Sequence, residues 1–371
     1  MKKIYFVNCL ILFLFLSTLL KAANHTGLWV VRHALQTEQD IKQIIDTAGR
    51  LKITTLYIQV YALGQSYWDS EYLTESKNAD VSHGLLTRLI HDAHKKNLSV
   101  YAWINVFYIW GSEKAPVQAK HPFNFFNHSI LCIDPEPGLP DYNYLKKTGN
   151  EGFYIDPVDK NYLNRMMLTI KELLLLYDFD GLHFDYFRYP RGKFLHSISG
   201  RTDFMLKNYF DPLELTRPND PIKTEKKRAF LAEIYNSFLY ANINNFLSSI
   251  RKANPGKIVS IAVKPNRYMA SAQYKQDWKY WLENDLCDQV MLMNYDTDFD
   301  QFKRNIKSAE MNNGCKEKII IGISVYNQSS DAVIQRIKYL EQYPAGGIAY
   351  FSYNYLQENP VYIEALIRGL R

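Results

Sequence analysis

The sequence DFDGLHFDYFRYP (residues 178–190) contains the charged positions around which the rest of the chain is organised. A turn over residues 178–181 leads into a short apolar and aromatic run, the pattern of a buried strand that follows a helix. Residues two apart in a strand share a face, so His183 and Asp185 point the same way, with Asp185 nearer the C-terminal end. Burying an unpaired carboxylate is costly. Two interpretations follow: an ion pair of Asp185 with Arg188, or a catalytic carboxylate at the rim of a barrel.

Strand-like segments recur along the whole chain and alternate with helical ones. Besides the strand within residues 178–190, the pattern predicts strands over residues 27–33, 54–61, 99–107, 257–265, 287–295, 318–326 and 346–356. The predicted helices include one that Thr37 and Asp40 cap as a capping-box variant, and one that begins at Asp156 and Pro157. The others cover residues 84–97, 224–254, 273–284, 299–313, 331–343 and 360–371.

Eight strand–helix units with mostly apolar strands indicate a parallel sheet that is covered on both faces. The alternatives are a closed eight-fold barrel and an open doubly wound sheet. No glycine-rich phosphate loop follows any strand, and the count is eight, so we expect an α/β protein with a single (β/α)8 TIM barrel over residues 23–371. Long loops after strands 3 and 4 (residues 108–154 and 191–222) account for the length beyond an ordinary barrel.

In a barrel of this kind the active site lies at the C-terminal ends of the strands. Nearly every predicted strand ends on a polar or aromatic residue that a packed core would not select, and together these residues describe a polar pocket with aromatic walls. The candidate substrate-binding residues are Arg32, Gln59, Trp103, Asn105, His183, Arg188, Lys264, Asn294, Tyr295 and Tyr326. No spacing typical of a metal site occurs, so we expect neither a metal nor another cofactor.

Glycoside hydrolysis requires two carboxylates, and Asp185 is the first candidate. For the second we favour Asp298, just past strand six, where it could fold back over the pocket. The alternative for Asp298 is an N-cap of the helix that begins at Phe299. His183 could orient Asp185, and Arg188 could lower its pKa. The weaker candidates for the second carboxylate are Asp296, Asp300, Asp134, Glu136, Asp156 and Glu71.

The N-terminal residues have the pattern of a secretory leader. Lys2 and Lys3 precede an apolar run over residues 4–20, and small residues follow it. We expect a signal peptide over residues 1–22, no membrane span after its removal, and a periplasmic or extracellular protein; an uncleaved N-terminal anchor is the alternative. The formal charge of +6 falls to +3 without the three lysines of the leader. This charge, without a basic stripe, does not predict nucleic-acid binding.

Several segments resemble the glycosyl-hydrolase-like 10 family and occur in the order of that family. The segments that carry the resemblance are FDGLHFDYFRYP, GLWVVR, TTLYIQV, YAWIN, QDWKYWLENDLCDQVMLMNYDTD, GISVY and GGIAYFSY. Asp185 and Arg188 fall on the family's aspartate and arginine, Asn294 and Tyr295 on its strand-six pair, and Asp298 on an acidic residue that usually follows. The segment YALGQSYW after strand two lacks the charged residues that are frequent there in the family.

The resemblance implies a (β/α)8 barrel that is exported in bacteria and acts on glycans, some relatives cleaving peptidoglycan strands without stem peptides. The sequence therefore predicts an exported glycoside hydrolase whose partner is a polysaccharide or a peptidoglycan glycan. Asp185 would be the nucleophile or base and Asp298 the acid. A catalytically inactive glycan-binding or envelope scaffold protein on the same barrel is the alternative, because a fold alone does not make an enzyme.

Overall fold

A computed structural model of the chain describes residues 25–76, 84–134, 139–216, 224–309, 315–343 and 345–371. The predicted leader (residues 1–22) and Glu136 lie outside the described residues. Within these ranges, no helix combines the length and the apolar character that crossing a bilayer demands.

Within the described residues, eight barrel strands and eleven helices outside the loop after the third strand form the body of the protein. The strands are β1 (His25–Val30), β2 (Thr55–Ala62), β3 (Ser99–Asn105), β4 (Gly181–Asp185), β5 (Ile258–Val263), β6 (Gln289–Met293), β7 (Ile319–Ser324) and β8 (Gly347–Phe351). The helices are α1 (Glu38–Arg50), α2 (Leu85–His94), α3 (Lys160–Leu176), α4 (Ile198–Asn208), α5 (Glu225–Ala253), α6 (Arg267–Tyr274), α7 (Trp278–Glu283), α8 (Phe299–Ser308), α9 (Ser330–Leu340), α10 (Tyr353–Glu358) and α11 (Pro360–Gly369).

The eight strands form a closed parallel barrel, as predicted. Each strand pairs in parallel with the next one, and β8 pairs with β1 to close the ring. Strands β3 and β4 place Asn105 opposite Asp185 and Trp103 opposite His183. All the C-terminal ends of the strands therefore meet at one face, which is where the predicted strand-end residues were expected to converge.

The interior of the barrel is unusually aromatic. Trp29, Tyr57, Tyr101 and Trp103 form a buried cluster inside the ring of strands. A Cβ at Gly322 would lie 3.0 Å from the Trp29 ring, so the small residue makes room for that indole. Three of the eight strands, β2, β4 and β7, are buried along their whole length, which is typical of parallel strands covered by helices.

Three predicted elements differ from the structure. Helix α3 begins at Lys160 with Asp159 as its N-cap, because the Asp156 carboxylate accepts hydrogen bonds from Ser197 and Tyr189 instead. The helix predicted over residues 273–284 is two helices, α6 and α7. The first helix ends at Lys275, whose backbone φ of 55° is left-handed and therefore incompatible with a continuous α-helix.

The last strand is also shorter than predicted, because β8 ends at Phe351 and residues 353–358 form α10. The two long loops contain structure of their own. After β3, the short strand Tyr108–Trp110 pairs antiparallel with Phe153–Tyr154. After β4, the loop contains α4 and a 3-10 turn over Pro212–Thr216. Both loops lie at the C-terminal face of the barrel.

Candidate active site

A cavity of about 570 Å³ lies at the C-terminal ends of the strands. It combines acidic, basic and aromatic side chains, which is typical of a site that binds a polar ligand. The residues that line it are Trp29, Glu151, Asp185, Tyr186, Arg188, Ala262, Lys264, Pro265, Met293, Tyr295, Asp296, Asn305, Tyr326 and Phe351.

A larger cavity of about 750 Å³ lies between α1 and α2 on the outside of the barrel. It is lined by Lys42, Asp46, Asp92 and neighbouring residues, and it contains no strand end. The smaller cavity is therefore the better candidate for chemistry, because it coincides with the face where barrel enzymes carry their active sites.

Aromatic rings form one wall of the cavity. Tyr295 and Phe351 are stacked with their centroids 5.1 Å apart, and Trp29 contacts the Phe351 ring edge-on at 5.7 Å. Tyr326 also approaches Phe351 and is about half exposed. Flat rings of this kind offer an apolar face to the C–H groups of a sugar while they leave its hydroxyl groups free.

Asp185 ends β4 and projects into this cavity from the same strand face as His183. Its Oδ1 accepts the backbone N–H of Tyr186 at 2.7 Å. Burial raises the pKa of the Asp185 carboxyl to about 6, against the opposing effects of that N–H and of the Arg188 charge. Tyr186 has a left-handed φ of 51°, a strained backbone for a bulky residue, and strain of this kind concentrates at functional sites.

Glu151 is a second carboxylate in the cavity, and its irregular surrounding sequence gave no signal of this position. Its Oε1 accepts from Arg188 Nη2 at 2.9 Å, and its Oε2 accepts from the Tyr154 hydroxyl at 2.9 Å. Burial tends to raise the pKa of the Glu151 carboxyl, but the charges of Arg188 and Lys264 outweigh it and hold that pKa below its usual value. The strand pairing of Tyr154 with Tyr108 folds this part of the loop back onto the barrel.

Arg188 lies in an aromatic cage at the side of the cavity. Its guanidinium lies within 5.4 Å of the ring centroids of Tyr154, Tyr186 and Tyr274, a distance that permits cation–π attraction. The side chain is buried, and no described residue accepts a hydrogen bond from its Nε. The ion pair of Arg188 is with Glu151, so the alternative of an Asp185–Arg188 ion pair is wrong in this structure.

Five of the predicted site residues line the cavity together: Asp185, Arg188, Lys264, Tyr295 and Tyr326. The other seven described candidates do not line it: Arg32, Gln59, Trp103, Asn105, His183, Asn294 and Asp298. Most of these seven form hydrogen bonds or ring contacts with neighbouring residues outside the cavity.

Asp298 is the N-cap of α8, which was the alternative to its catalytic role. Its Oδ1 accepts the backbone N–H of Gln301 at 2.7 Å. Asp296, two residues earlier in the same loop, lines the cavity instead. The side chain of Asn294 turns toward the same helix, because its Nδ2 donates to the Phe302 carbonyl and its Oδ1 accepts from Asn305.

His183 does not hydrogen-bond to Asp185, because both of its ring nitrogens have other partners. Trp29 Nε1 donates to His183 Nε2 at 2.9 Å, so the ring proton is assigned to Nδ1, which donates to Ser260 Oγ at 2.8 Å. Burial lowers the pKa of His183 to about 3, and the imidazole is therefore neutral. His183 therefore holds the Trp29 indole in place beneath the cavity and takes no part in proton transfer at Asp185.

Arg32, Gln59 and Asn105 form a chain of hydrogen bonds beside the cavity. Arg32 Nη1 donates to Gln59 Oε1 at 2.9 Å, and Gln59 Nε2 donates to Asn105 Oδ1 at 3.5 Å. Trp103 is buried below Phe351, and its Nε1 has no partner among the described residues. None of these four residues lines the cavity itself.

The remaining acidic candidates are placed elsewhere. Asp156 is buried among Ser197 and Tyr189, Asp134 accepts from the Tyr144 hydroxyl, and Glu71 is exposed. Asp300 forms an ion pair with Lys303 on α8. None of these four lines the cavity.

Comparison with known proteins gives a family match over most of the chain. The model of the family described as glycosyl hydrolase-like 10 matches residues 22–336. Glycosyl hydrolase YngK of Bacillus subtilis (strain 168) is 22% identical over 163 residues, which are 42% of this chain and 29% of YngK. Glycosyl hydrolase DigH of Escherichia coli (strain K12) is 24% identical over 151 residues, or 39% of this chain and 33% of DigH. The matches thus span about a third of the curated relatives.

Among solved structures, the group IV chitinase of Ostrinia furnacalis superposes on this chain with a TM-score of 0.52. The superposed region covers 94% of this chain and 98% of the chitinase chain. At 12% sequence identity this likeness concerns the fold.

Proposed function

Because the chain belongs to the glycosyl hydrolase-like 10 family, we propose that it is a glycoside hydrolase whose two carboxyl groups are Asp185 and Glu151. The observation that carries this proposal is the pair of carboxyls in one cavity whose pKa values are displaced in opposite directions, that of Asp185 upward and that of Glu151 downward. A pair displaced in this way separates the acid from the base.

The opposite shifts of the two pKa values suggest which carboxyl is the acid and which is the nucleophile or base. With a pKa of about 6, Asp185 can hold a proton at mildly acidic pH and give it to the glycosidic oxygen of the leaving sugar. Glu151 stays ionised and either attacks the anomeric carbon or takes a proton from the attacking water. This replaces the roles expected from the sequence, in which Asp185 was the nucleophile or base and Asp298 the acid.

The aromatic wall and the surrounding charges suit a sugar with polar substituents. The rings of Trp29, Tyr295 and Phe351 would contact the sugar face, while Arg188 and Lys264 are positioned to bind its oxygens. As substrate we propose a bacterial glycan, including the glycan strands of peptidoglycan. The leader pattern of residues 1–22 supports action outside the cytoplasm.

One observation favours the second candidate function, a glycan-binding protein without hydrolysis. Both oxygens of Glu151 already accept hydrogen bonds, one from Arg188 and one from Tyr154. If these contacts persist when a glycan binds, Glu151 is not available to attack the anomeric carbon, and the cavity would bind a sugar without cleaving it.

Product release from purified peptidoglycan glycans distinguishes the two functions. Strands with and without stem peptides are incubated with the wild-type protein, Asp185→Asn and Glu151→Gln, and soluble fragments and new reducing ends are quantified. The hydrolase proposal expects release by the wild type and a loss of at least about 100-fold in both variants. Retention of the glycan by all three proteins without any release would establish the binding function instead.

A further inference from the structure

Tyr274 lies beside both of the positively charged side chains that line the cavity in the described part of the chain. The Cζ of Arg188 is 5.2 Å from the centroid of its ring, and the Nζ of Lys264 is 5.1 Å from the same centroid. Both distances permit cation–π attraction. Arg188 follows β4 and Lys264 follows β5, and both line the cavity, whereas Tyr274 does not. A residue outside the cavity therefore attracts two charged side chains inside it.

The two cations repel each other. Burial lowers the pKa of the Lys264 ammonium to about 8, and the charge of Arg188 contributes to this shift. The face of an aromatic ring carries partial negative charge, so the ring of Tyr274 attracts both side chains although it has no formal charge. An acidic residue in its place would neutralise the cations. The ring leaves both charges available to act on Glu151.

The ring belongs to a well-defined turn at the end of α6. The helix ends at Tyr274, because the next residue, Lys275, has a left-handed φ of 55°. The backbone N–H of Gln276 then donates to the Ala270 carbonyl at 3.0 Å, which closes the turn. The side chain of Gln276 is buried, so the turn is anchored in the interior of the protein.

Hydrogen bonds join this turn to the two segments that carry the cations. The carbonyl of Tyr274 accepts the backbone N–H of Tyr189, the residue after Arg188, at 3.0 Å. Gln276 Oε1 accepts the backbone N–H of Lys264, also at 3.0 Å. The backbone that carries the ring is thus fixed relative to the backbones of both cations.

We propose that Tyr274 is a positioning residue, which holds the Arg188 guanidinium and the Lys264 ammonium where both charges act on Glu151. The inference rests on the proposed function, because it explains how Glu151 is kept in the ionised form that the reaction requires. Arg188 forms an ion pair with Glu151 at 2.9 Å. The charge of Lys264 also lowers the pKa of the Glu151 carboxyl.

Other titratable groups surround Glu151, and replacing Tyr274 leaves all of them in the chain. They are Asp185 and Tyr186 at the end of β4, Tyr108 after β3, and Tyr154 in the same loop as Glu151. A change in the ionisation of Glu151 that follows loss of the Tyr274 ring therefore reports on the two cations. The charges of Arg188 and Lys264 also lower the pKa of Asp185, so the two carboxyl groups should respond in the same direction.

The test removes the ring and then restores it without its hydroxyl group. Tyr274→Leu and Tyr274→Met remove the ring, and Tyr274→Phe keeps its face. The matched control is Tyr268→Leu, because Tyr268 lies on the same helix, is 65% exposed and contacts the Arg267 guanidinium at 4.7 Å outside the cavity. For each protein kcat and KM are measured from pH 3 to 9, and urea titrations verify that the variants fold.

Both variants without the ring should lose about 10-fold in kcat/KM, an effect of the size of one partly desolvated cation–π contact. The acidic and basic limbs of their pH profiles should both move to higher pH, because less positive charge is held near Glu151 and Asp185. Tyr274→Phe and Tyr268→Leu should keep the rate and the limbs of the wild type. A loss of activity with unchanged limbs would overturn the proposal, as would the same loss in Tyr274→Phe or no loss without the ring.

Failure of the proposed function is a separate result, because the ionisation of Glu151 can be measured without a substrate. The protein is labelled with ¹³C at the glutamate carboxyl groups, and the Glu151 resonance is assigned by its absence from Glu151→Gln. In the wild type and Tyr274→Phe this resonance should titrate below the usual range of glutamate, and in Tyr274→Leu at higher pH. That difference supports the inference even if no glycan is cleaved. Equal titration of Glu151 in the wild type and Tyr274→Leu overturns it, even if the protein is a hydrolase.

Discussion

Arg188 Nη2 donates to Glu151 Oε1 at 2.9 Å, and this ion pair joins the segment after β4 to a loop residue 37 positions earlier in the chain. The two side chains differ in exposure, because Arg188 is 2% exposed and Glu151 is 36% exposed. The buried guanidinium therefore acts as a fixed charge. It holds the more accessible carboxylate ionised beside Asp185, and the chemistry we propose depends on that difference.

Asp185→Asn should abolish most of the hydrolysis while Asp298→Asn leaves it near the wild-type rate. The first change removes the proton that the leaving sugar requires, a loss of about 100- to 10,000-fold in kcat. The second keeps a good N-cap for α8, because asparagine and aspartate cap helices about equally well. Both variants are compared in the same reducing-end assay. A large loss in Asp298→Asn would restore the role that the sequence first suggested for it.

Glu151→Gln should reduce kcat by a similar factor, and it tests whether Glu151 attacks the sugar directly. If it is a nucleophile, the smaller variant Glu151→Gly should regain activity when azide is added and should form a glycosyl azide, which NMR can identify. In either role azide would displace the leaving sugar from the side of Glu151, so the wild-type product decides between them: its anomeric configuration is retained if Glu151 is the nucleophile and inverted if Glu151 activates water. The variants should fold, which circular dichroism can check, although Arg188 loses its partner. Full activity of Glu151→Gln would exclude it from the reaction.

The fold could be predicted from the sequence because local pattern determines it. Apolar runs such as residues 319–324 and 259–263 form strands that are buried on both sides, and the Thr37–Asp40 capping box marks the start of α1 as expected. The position of Asp185 on the inward face also followed from the two-residue period of a strand. These features depend on neighbours in the chain, which a sequence displays directly.

The site was less predictable because it depends on long-range contacts. Glu151 lies in a loop of irregular sequence, and long-range contacts, namely the pairing of Tyr154 with Tyr108 and the ion pair with Arg188, hold it at the cavity. Asp298 and Asp296 differ by two positions, and their orientation depends on where α8 begins. Trp29 and Phe351 could have been identified as aromatic residues on inward strand faces. The loop carboxylate has no comparable local signal.

The pH dependence of kcat/KM should show a basic limb from Asp185. With a pKa of about 6, the acid form of Asp185 declines as the pH rises through 6, so the rate should fall toward neutral and alkaline pH. The acidic limb should reflect the pKa of Glu151, which lies below the usual value of glutamate. Burial tends to raise this pKa, but the charges of Arg188 and Lys264 outweigh that effect. Initial rates from pH 3 to 9 measure both limbs. A rate that rises steadily through pH 7 would contradict the assignment of Asp185 as the acid.

His183 should contribute to stability and not to the pH profile of the reaction. Its pKa is lowered to about 3, so the folded protein keeps it neutral while the unfolded chain protonates near pH 6.5. Its contribution is therefore present above pH 6.5 and is lost as the pH falls toward 3. His183→Gln should lower the free energy of unfolding at pH 7, because the variant loses the imidazole that hydrogen-bonds with Trp29 and Ser260. It should also flatten the loss of stability between pH 6.5 and 4. Urea titrations at several pH values test both, and a shift of the kinetic limbs would contradict the structural role.

Asp185→Asn should stabilise the fold above pH 6 even as it removes activity. The carboxyl has a pKa of about 6 when folded against 3.8 as a free side chain, so the folded state retains the proton longer. The contribution of this carboxyl to the free energy of unfolding is fully present below pH 3.8 and is lost as the pH rises through 6. For a pKa shift of this size the loss is about 3 kcal/mol. Asparagine carries no charge and avoids this loss. The difference in unfolding free energy between variant and wild type should therefore grow between pH 4 and 7 and then level off. A constant difference across this range would mean that Asp185 is not buried as an ionised group, and would remove the basis for its role as the acid.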